Sequence, residues 1–248
     1  MTPEEITQPV ELPVDEALAL LAAGEVSIEG RLVDASNATF YCAVTSGELT
    51  AACVYKPVAG ERALWDFPDG TLAEREVAAY AVSAATGWAI VPPTVYRDGP
   101  LGPGMLQLWI AEDPDADVVS FIRRRDNAQL RRIAVFDAVI NNADRKGGHL
   151  LARPDGHIYG VDHGVSFHAE DKLRTVLWQW AGRPLPDDAV DVLRALRVAL
   201  DGSLGGCLAE LLTTRELRRT TRRVDRLLAS GCHPEPSDEW PSVPWPPI

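Results

Sequence analysis

The sequence predicts an α+β protein in two lobes, a small antiparallel-sheet lobe with one helix and a larger helical lobe after it. Three observations lead to this prediction. The chain has 248 residues and 46% of them are hydrophobic, which is enough for a substantial core. Strand-like runs separated by polar turns fill the first part of the chain. Helical periodicity fills most of the remainder.

The sheet lobe is expected over residues 26–113, after an acidic arm and a helix in residues 1–25 whose expected N-cap is Asp15. Three strands are expected in VSIEGRLV, TFYCAVT and LTAACVYKP, which the polar turns DASNA and SGE separate. A helix is expected in GTLAEREVAAYAVSAATG, where Thr71 and Glu74 form a capping-box pattern. Two more strands are expected in PPTVYRDG and GMLQLWIAED.

The helical lobe is expected over residues 114–232, after a polar, turn-rich border at 112–117. Helices are expected in VVSFIRRR, in NAQLRRIAVFDAVINN, and over roughly 171–181, 187–200 and 213–229. HLLARPDGHIYGVD predicts a hairpin with Pro-Asp-Gly at its turn. The tail, residues 233–248, has six prolines and favours polyproline geometry. Its Trp240 and Trp245 are expected to dock on the helical lobe or on another molecule.

Composition narrows the classes of function. The net charge of −12 argues against nucleic-acid binding, which needs a positive face. No apolar run is long enough to predict a membrane span, and the acidic N-terminus does not resemble a signal peptide, so a cytoplasmic protein without membrane insertion is expected. The four cysteines lack a CxxC spacing and are expected to be free thiols, with a Cys42–Cys53 disulfide across a hairpin as the alternative.

Arginines recur every three or four residues near the C-terminus, which places them on one helix face. A solvated face that balances an acidic body is the expected role, and an acidic partner or an anionic membrane surface is the alternative. The residues are Arg215, Arg218, Arg219, Arg222, Arg223 and Arg226.

Polar residues follow apolar runs at three places, and together they supply the residue types that ATP-dependent group transfer needs. Such transfer needs a cation for the phosphates, carboxylates for a metal and a group that orients the nucleophile. Lys56 ends an apolar strand, and Glu76 on the next helix is its candidate partner, although a surface lysine at a strand end is the alternative. Asp144, with Lys146 and His149 after it, falls on a loop between a helix and the hairpin, and Asp162 follows the hairpin.

This order of residues resembles the protein-kinase-like superfold. More narrowly, INNADRKGGHLL and YGVDHGVSF resemble the phosphatidylinositol 3-/4-kinase-related group, which includes small bacterial members and the actin-fragmin-kinase-like branch. GRLVDASNATFYC resembles the phosphate-covering loop of that group, which lacks a GxGxxG. The resemblance covers roughly residues 26–230 and implies a bilobal kinase-like fold that uses ATP with Mg²⁺ or Mn²⁺.

The resemblance also implies roles for individual residues in ATP binding. Ser36 and Asn37 would cap the ATP phosphates, and Lys56, held by Glu76, would pair with the α- and β-phosphates. Adenine would be bound by the backbone of a linker strand at Gln107, Leu108, Trp109, Ile110 and Ala111. Lys56 and the two carboxylates Asp144 and Asp162 are therefore expected to converge on one crevice.

The resemblance likewise implies that Asp144 would orient or deprotonate the nucleophile and that Lys146 would neutralise negative charge on the transferred group. Asp162 would bind the divalent metal. His149 stands where the group usually carries an asparagine ligand. Imidazole suits Mn²⁺ better than Mg²⁺, so one interpretation is that His149 is a ligand for a softer ion. The other is that His149 is only a loop residue, in which case the site would lack the second metal. Asn141 or Asn142 could supply the missing ligand instead, and a zinc site among the four histidines of 149–168 is a further alternative.

Three functions are consistent with these residues. The first is an ATP-dependent transferase that moves a phosphoryl or nucleotidyl group to a protein or small-molecule acceptor. A lipid acceptor is not favoured, because HGVSFHAEDKLRTVLWQW carries charges of both signs. The second is a nucleotide-binding pseudokinase that acts as a scaffold or regulator. The third is a helical interaction protein that binds no nucleotide and uses the arginines and the tail.

Overall fold

The computed structural model describes residues 12–32 and 37–248, apart from the side chain of Phe121. The first eleven residues of the arm predicted over 1–13 and the candidate phosphate-binding residue Ser36 lie outside these ranges. The chain divides into two compact units. The first contains the described part of Met1–Val77 and Pro92–Ala111, and the second contains Ala78–Val91 and Glu112–Ile248.

The first unit contains a five-stranded antiparallel sheet whose strand order is β1-β2-β3-β5-β4. The five strands lie close to where the sequence predicts them, and β2 and β3 alternate between buried and more exposed positions over most of their length. They are β1 (Glu25–Leu32), β2 (Thr39–Ser46), β3 (Leu49–Pro57), β4 (Thr94–Gly99) and β5 (Gly102–Leu108).

Helix α1 (Val14–Ala23) buries Leu20 and Leu21 in a small core with residues of this sheet. The prediction of Asp15 as its N-cap is wrong, since the helix begins one residue earlier and Pro13 holds the cap position without a side-chain bond. Cys42 and Cys53 lie opposite each other on β2 and β3 and are buried free thiols rather than a disulfide.

Helix α2 (Leu72–Thr86) begins in the first unit and ends in the second. A carboxylate from the preceding loop caps it, because the oxygens of Glu61 accept the backbone N–H groups of Leu72 and Ala73 at 3.1 and 2.8 Å. The Thr71 hydroxyl donates instead to the Pro68 carbonyl. The capping-box pattern therefore locates the start of the helix, but it does not identify the residue that caps it.

The second unit is mainly helical around one apolar core. Helix α4 is almost entirely buried, and Asn127 caps it by accepting the N–H groups of Gln129 and Leu130. The hairpin predicted after it is present. The elements are α3 (Val118–Phe121), α4 (Ala128–Ile140), β6 (Leu150–Ala152), β7 (Ile158–Gly160), α5 (Asp187–Leu200), α6 (Ser203–Ala209) and α7 (Thr214–Ser230).

The helix predicted over 171–181 is wrong, because only a 3₁₀ turn at Trp178–Trp180 forms there. The backbone of this segment pairs with the loop after α4 instead. The Arg174 N–H donates to the Asn142 carbonyl, and the Arg145 and Val176 N–H groups donate to the Arg174 and Arg145 carbonyls. These backbone groups are unavailable for helical hydrogen bonds. Helix α6 was not predicted.

Helix α7 starts with a capping box between Thr213 and Glu216. The prediction that its arginines form a single solvated face is wrong for Arg223, whose side chain is only 3% exposed and contacts Asp171. Arg218 and Arg222 are exposed. The stripe therefore has a buried and a solvated part.

The C-terminal tail lies on the second unit. The Ser242 carbonyl accepts the Thr175 N–H and the Trp178 indole N–H, and the Pro247 carbonyl accepts the Gly147 N–H. Docking on the helical lobe is correct for Trp240 but not for Trp245, which is 85% exposed.

Among the residues that the structure describes, no helix is both long and apolar enough to cross a bilayer.

Candidate functional site

The first unit carries an ion pair between β3 and α2. Lys56 Nζ lies 2.7 Å from Glu76 Oε1, and the two side chains are 18% and 2% exposed. Tyr55 and Pro57, its neighbours on the strand, are buried, and alternation turns Lys56 to the other face of the sheet. Lys56 is thus not the solvated lysine of the alternative interpretation. The pairing keeps a charged amine and a buried carboxylate in a fixed position.

The candidate adenine-binding strand is β5 with the residues after it. Gln107 is buried and its Nε2 donates to Thr94 Oγ1 at 2.9 Å. The N–H groups of Leu108 and Trp109 donate to the carbonyls of Pro93 and Ala52. These two donors are therefore used within the fold.

Of the two candidate phosphate-capping residues, the structure describes Asn37, which is hydrogen-bonded to the segment after β3. Its Oδ1 accepts the Arg62 N–H at 2.8 Å. The next N–H, that of Ala38, donates to the Gly60 carbonyl at 3.0 Å. A Cβ on Gly60 would collide with the Ala38 side chain, so glycine is needed for this close approach.

In the second unit, Asp144 lies on the loop that follows α4. Its N–H donates to Asn142 Oδ1, and its Oδ2 lies 3.0 Å from Lys146 Nζ. The Asp144 side chain is 28% exposed. Burial raises the pKa of the Asp144 carboxyl above its ordinary value, the Lys146 ammonium lowers it in opposition, and the Asp162 charge raises it further. The two carboxylates are therefore electrostatically coupled.

Asp162 follows β7 in a left-handed conformation with φ of 58°. Its Oδ2 lies 3.4 Å from His149 Nε2, and its side chain is 50% exposed. The Val161 N–H donates to the His149 carbonyl, which joins the two loops through their backbones. A non-glycine residue with positive φ is uncommon, although aspartate adopts this conformation more often than most residues.

Arg145 is a central residue that the sequence reasoning missed. It is fully buried and bonds Asp137 on α4 through Nε and Nη2. Its Nη1 donates to the carbonyls of His149 and Val161, and its Nη2 contacts His163 Nε2. One guanidinium thus connects α4 with the Asp144 loop and the Asp162 loop. The available signal was Asp137, a charged residue within the apolar run IAVFDAVI of α4.

Asn141 and Asn142, considered above as substitute metal ligands, brace the loops. Asn141 Nδ2 donates to the carbonyls of His168 and Glu170, and its Oδ1 accepts the Lys172 N–H. Asn142 Nδ2 donates to Asp137 Oδ1, and its Oδ1 holds the Asp144 N–H.

The zinc alternative is contradicted within the described part of the chain, where no group of three or more His, Cys, Asp or Glu side chains is arranged to hold a metal. All four histidines have other contacts: His149 Nε2 lies near Asp162 Oδ2, and His168 Nδ1 accepts the Glu170 N–H. His157 Nε2 contacts the Ala89 carbonyl, and His163 lies edge-on to Phe136.

Comparison with known proteins identifies what this arrangement is similar to. The family model described as phosphatidylinositol 3- and 4-kinase matches residues 94–232. Protein Rv2133c of Mycobacterium tuberculosis (strain ATCC 25618 / H37Rv) is 46% identical, and the alignment covers 94% of this chain and 95% of that protein.

Solved kinase structures share the fold at low sequence identity. The Golgi casein kinase, with Mn/ADP bound, has a TM-score of 0.59 at 14% identity and covers 88% of this chain and 75% of its own. The Helicobacter pylori proinflammatory kinase CtkA has a TM-score of 0.51 at 9% identity and covers 85% of this chain and 97% of its own. The kinase-like α+β fold expected from the sequence is confirmed.

Proposed function

Since the chain belongs to the phosphatidylinositol 3- and 4-kinase family, we propose that it is an ATP-dependent transferase that moves a phosphoryl group to an acceptor hydroxyl. The observation that carries this proposal is the arrangement of Asp144, Lys146, His149 and Asp162 on two loops that the guanidinium of Arg145 joins.

The Lys56–Glu76 ion pair supports a role for Lys56 in holding the α- and β-phosphates. Glu76 is buried and fixes the ammonium, and a fixed cation loses less conformational freedom when phosphate binds. Adenine would be bound by backbone groups after Trp109, because the N–H groups of Leu108 and Trp109 already have partners. Asn37 would support the loop over the phosphates from its anchor at Arg62.

Asp162 and His149 are the residues that would hold a divalent ion. Their 3.4 Å separation suits two ligands of one ion, and phosphate oxygens commonly complete such a site in kinases. A bound ion would supply charge neutralisation at the phosphates. The imidazole favours Mn²⁺ over Mg²⁺, because Mg²⁺ prefers oxygen ligands. The Golgi casein kinase, one of the fold neighbours, was solved with Mn/ADP bound.

Asp144 would orient the acceptor hydroxyl and accept its proton while the oxygen bonds to the γ-phosphorus and ADP leaves. Burial raises the pKa of Asp144, which makes its carboxylate a better proton acceptor than a solvated one. Lys146, 3.0 Å from Asp144, would offset negative charge on the transferred group. The acceptor would be a protein or a small molecule.

Thermal unfolding with ATP and either Mg²⁺ or Mn²⁺ tests nucleotide binding, and product analysis tests transfer. A ligand that binds only the folded protein raises the melting temperature. We expect a metal-dependent rise that Asp162→Asn abolishes. Asp155→Asn is the matched control, since it makes the same charge change at an exposed residue of the hairpin turn. ADP formation should be lost in Asp144→Asn. Release of pyrophosphate, with AMP attached to the acceptor, would instead assign nucleotidyl transfer.

A pseudokinase is the second candidate, and the presence of His149 in place of the usual asparagine favours it. Under that function, the wild-type protein would show the metal-dependent thermal shift but would release neither ADP nor pyrophosphate with any acceptor. No shift with either metal would contradict both candidates.

A further inference from the structure

The second unit contains a cavity of about 1030 Å³. Its walls come from the end of α4, the segment 170–173, helix α7 and the start of the tail. None of Asp144, Lys146, His149 and Asp162 lines it. The cavity is thus a separate feature that the proposed transfer reaction does not use.

Three arginines of α7 converge on one carboxylate at this cavity. Asp171 is bonded by Arg219 at 3.3 Å, Arg223 at 2.9 Å and Arg226 at 2.8 Å. One carboxylate does not balance three guanidinium groups, so positive charge exceeds negative charge within this cluster around Asp171. Burial lowers the pKa of the Arg223 guanidinium to about 10, and the nearby charges of Arg219 and Arg226 contribute to this lowering.

The same walls carry two buried donors that lack a hydrogen-bond partner among the described residues, Arg223 Nη1 and Trp240 Nε1. Arg223 uses its Nε on Asp171 and its Nη2 on the carbonyls of His168 and Glu170. Guanidinium and indole nitrogens can only donate. A buried donor without an acceptor is costly, so both atoms favour a ligand that carries acceptor oxygens.

The opposite charges on the lining limit the size of that ligand. Glu170, Glu235 and Glu239 also line the cavity and would repel an extended polyanion. Lys172 adds a cation 4.7 Å from the centre of the Trp240 ring. A compact anion that concentrates its charge near Arg223 and Trp240 matches this distribution.

We propose that the cavity binds a small phosphate-bearing anion, held by Arg223, Arg226 and Trp240. The phosphate belongs either to a soluble phosphate ester or to the headgroup of an anionic lipid. The segment that the ligand would contact is linked to the candidate active site. Asn141 holds residues 168–172 through three hydrogen bonds and directly precedes the loop that carries Asp144. An occupied cavity would therefore stabilise that loop.

Calorimetry with inorganic pyrophosphate, without divalent metal and with a chelator present, tests the site. Trp240→Phe removes one donor and keeps an aromatic ring, and Arg226→Ala removes a largely exposed cation. Arg222→Ala is the matched control, because it removes the same charge from an exposed position on α7 outside the cavity. Loss of one donor to a charged group corresponds to about a tenfold or larger rise in Kd. We expect that rise in the first two variants and none in the control.

Other outcomes overturn the proposal. No pyrophosphate binding to the wild-type protein would do so, as would an equal loss in Arg222→Ala, which would indicate long-range attraction alone. Loss in Lys56→Ala with full binding in Trp240→Phe and Arg226→Ala would place the anion at the proposed ATP site instead. Circular dichroism of each variant separates lost binding from lost folding.

Vesicles of phosphatidylcholine with phosphatidic acid separate the two sources of the phosphate. If the protein co-sediments with these vesicles, and if both Arg226→Ala and added pyrophosphate abolish this binding, the phosphate belongs to a lipid headgroup. Pyrophosphate binding without co-sedimentation would assign a soluble ligand. The same variants of Arg226 and Arg222 serve in both experiments, so each assignment rests on the same residue contrast.

Discussion

Arg145 and Asp137 form an ion pair whose side chains are both fully buried, with Nη2 2.9 Å from Oδ1 and Nε 3.0 Å from Oδ2. Buried pairs commonly add little net stability, because desolvation offsets their attraction. This pair has a further effect, since the remaining nitrogen of Arg145 holds the carbonyls of His149 and Val161. One guanidinium therefore joins the two candidate catalytic loops to α4, in addition to the backbone bond between Val161 and His149.

Replacing Arg145 by methionine should lower the free energy of unfolding by about 3–5 kcal/mol, because it leaves the carboxylate of Asp137 buried without a counter-charge. Urea denaturation measures this change. Arg124→Met is the matched control, since it breaks the exposed pair with Asp126 and should leave the free energy of unfolding nearly unchanged. A loss for Arg145→Met no larger than that of the control would contradict the bracing role.

Replacing Glu76 by glutamine should weaken ATP binding, because it removes the charge that fixes Lys56. We expect the Kd for ATP with metal to rise about tenfold, as for the loss of one charge-assisted hydrogen bond. Glu74→Gln makes the same charge change two residues away on α2 and should leave the Kd unchanged. Equal Kd values for both variants would remove the support that the ion pair gives to a nucleotide-binding role of Lys56.

Replacing His149 by asparagine should shift the metal preference from Mn²⁺ toward Mg²⁺, because an amide oxygen is a harder ligand than imidazole. The ratio of the two metal-dependent thermal shifts with ATP measures this preference. His157→Asn changes a hairpin histidine that contacts the Ala89 carbonyl and should leave the ratio as in the wild type. An unchanged ratio in His149→Asn would show that His149 is a loop residue and not a ligand.

The strands and most helices could be predicted because their periodicity reflects burial of one face. The strands β2 and β3 alternate along their length, and α4 carries apolar residues at helical spacing. The helix prediction for the segment 171–181 was wrong because the backbone of this segment bonds the loop of Asn142 and Arg145. Local helical preference does not encode such a long-range pairing. In the same way, the Glu61 cap joins residues eleven positions apart, beyond a local capping pattern.

The candidate site residues could be chosen from the sequence because charged groups at the ends of apolar runs are conspicuous. The residue that joins them could not be identified from the sequence, since Arg145 lies between Asp144 and Lys146 and resembles any other charged residue of the loop. Only the fold shows that its partner is Asp137, eight residues earlier, and that Asn141 and Asn142 brace backbone instead of holding a metal.

Acid should destabilise the protein through His233. Burial, with the nearby Arg131 charge, lowers the pKa of His233 to about 4 from an ordinary 6.5. The unfolded chain therefore binds a proton below pH 6.5 that the folded protein binds only near pH 4. Stability from this group is complete above pH 6.5 and declines as the pH falls through that window, by at most about 3 kcal/mol.

Unfolding free energies measured at several pH values between 7 and 4 check this expectation in the wild type and in His233→Phe. Phenylalanine keeps a ring next to Trp180, on which His233 stacks, and cannot titrate. The variant should lose less stability across the window than the wild type does. Parallel pH profiles for the two proteins would contradict the assignment to His233.

Deleting residues 241–248 should loosen the loop that follows Lys146. The deletion removes the Pro247 carbonyl that accepts the Gly147 N–H, and the Ser242 carbonyl that accepts the Thr175 N–H and the Trp178 indole N–H. At about 1 kcal/mol for each hydrogen bond, we expect a loss of about 2–3 kcal/mol in stability. Hydrogen exchange of a peptide that spans Gly147 should accelerate in the truncated protein.

Trp245→Ala is the control, because that side chain is largely solvated and its removal should change neither quantity. Unchanged exchange at Gly147 after truncation would show that the loop keeps its conformation without the tail.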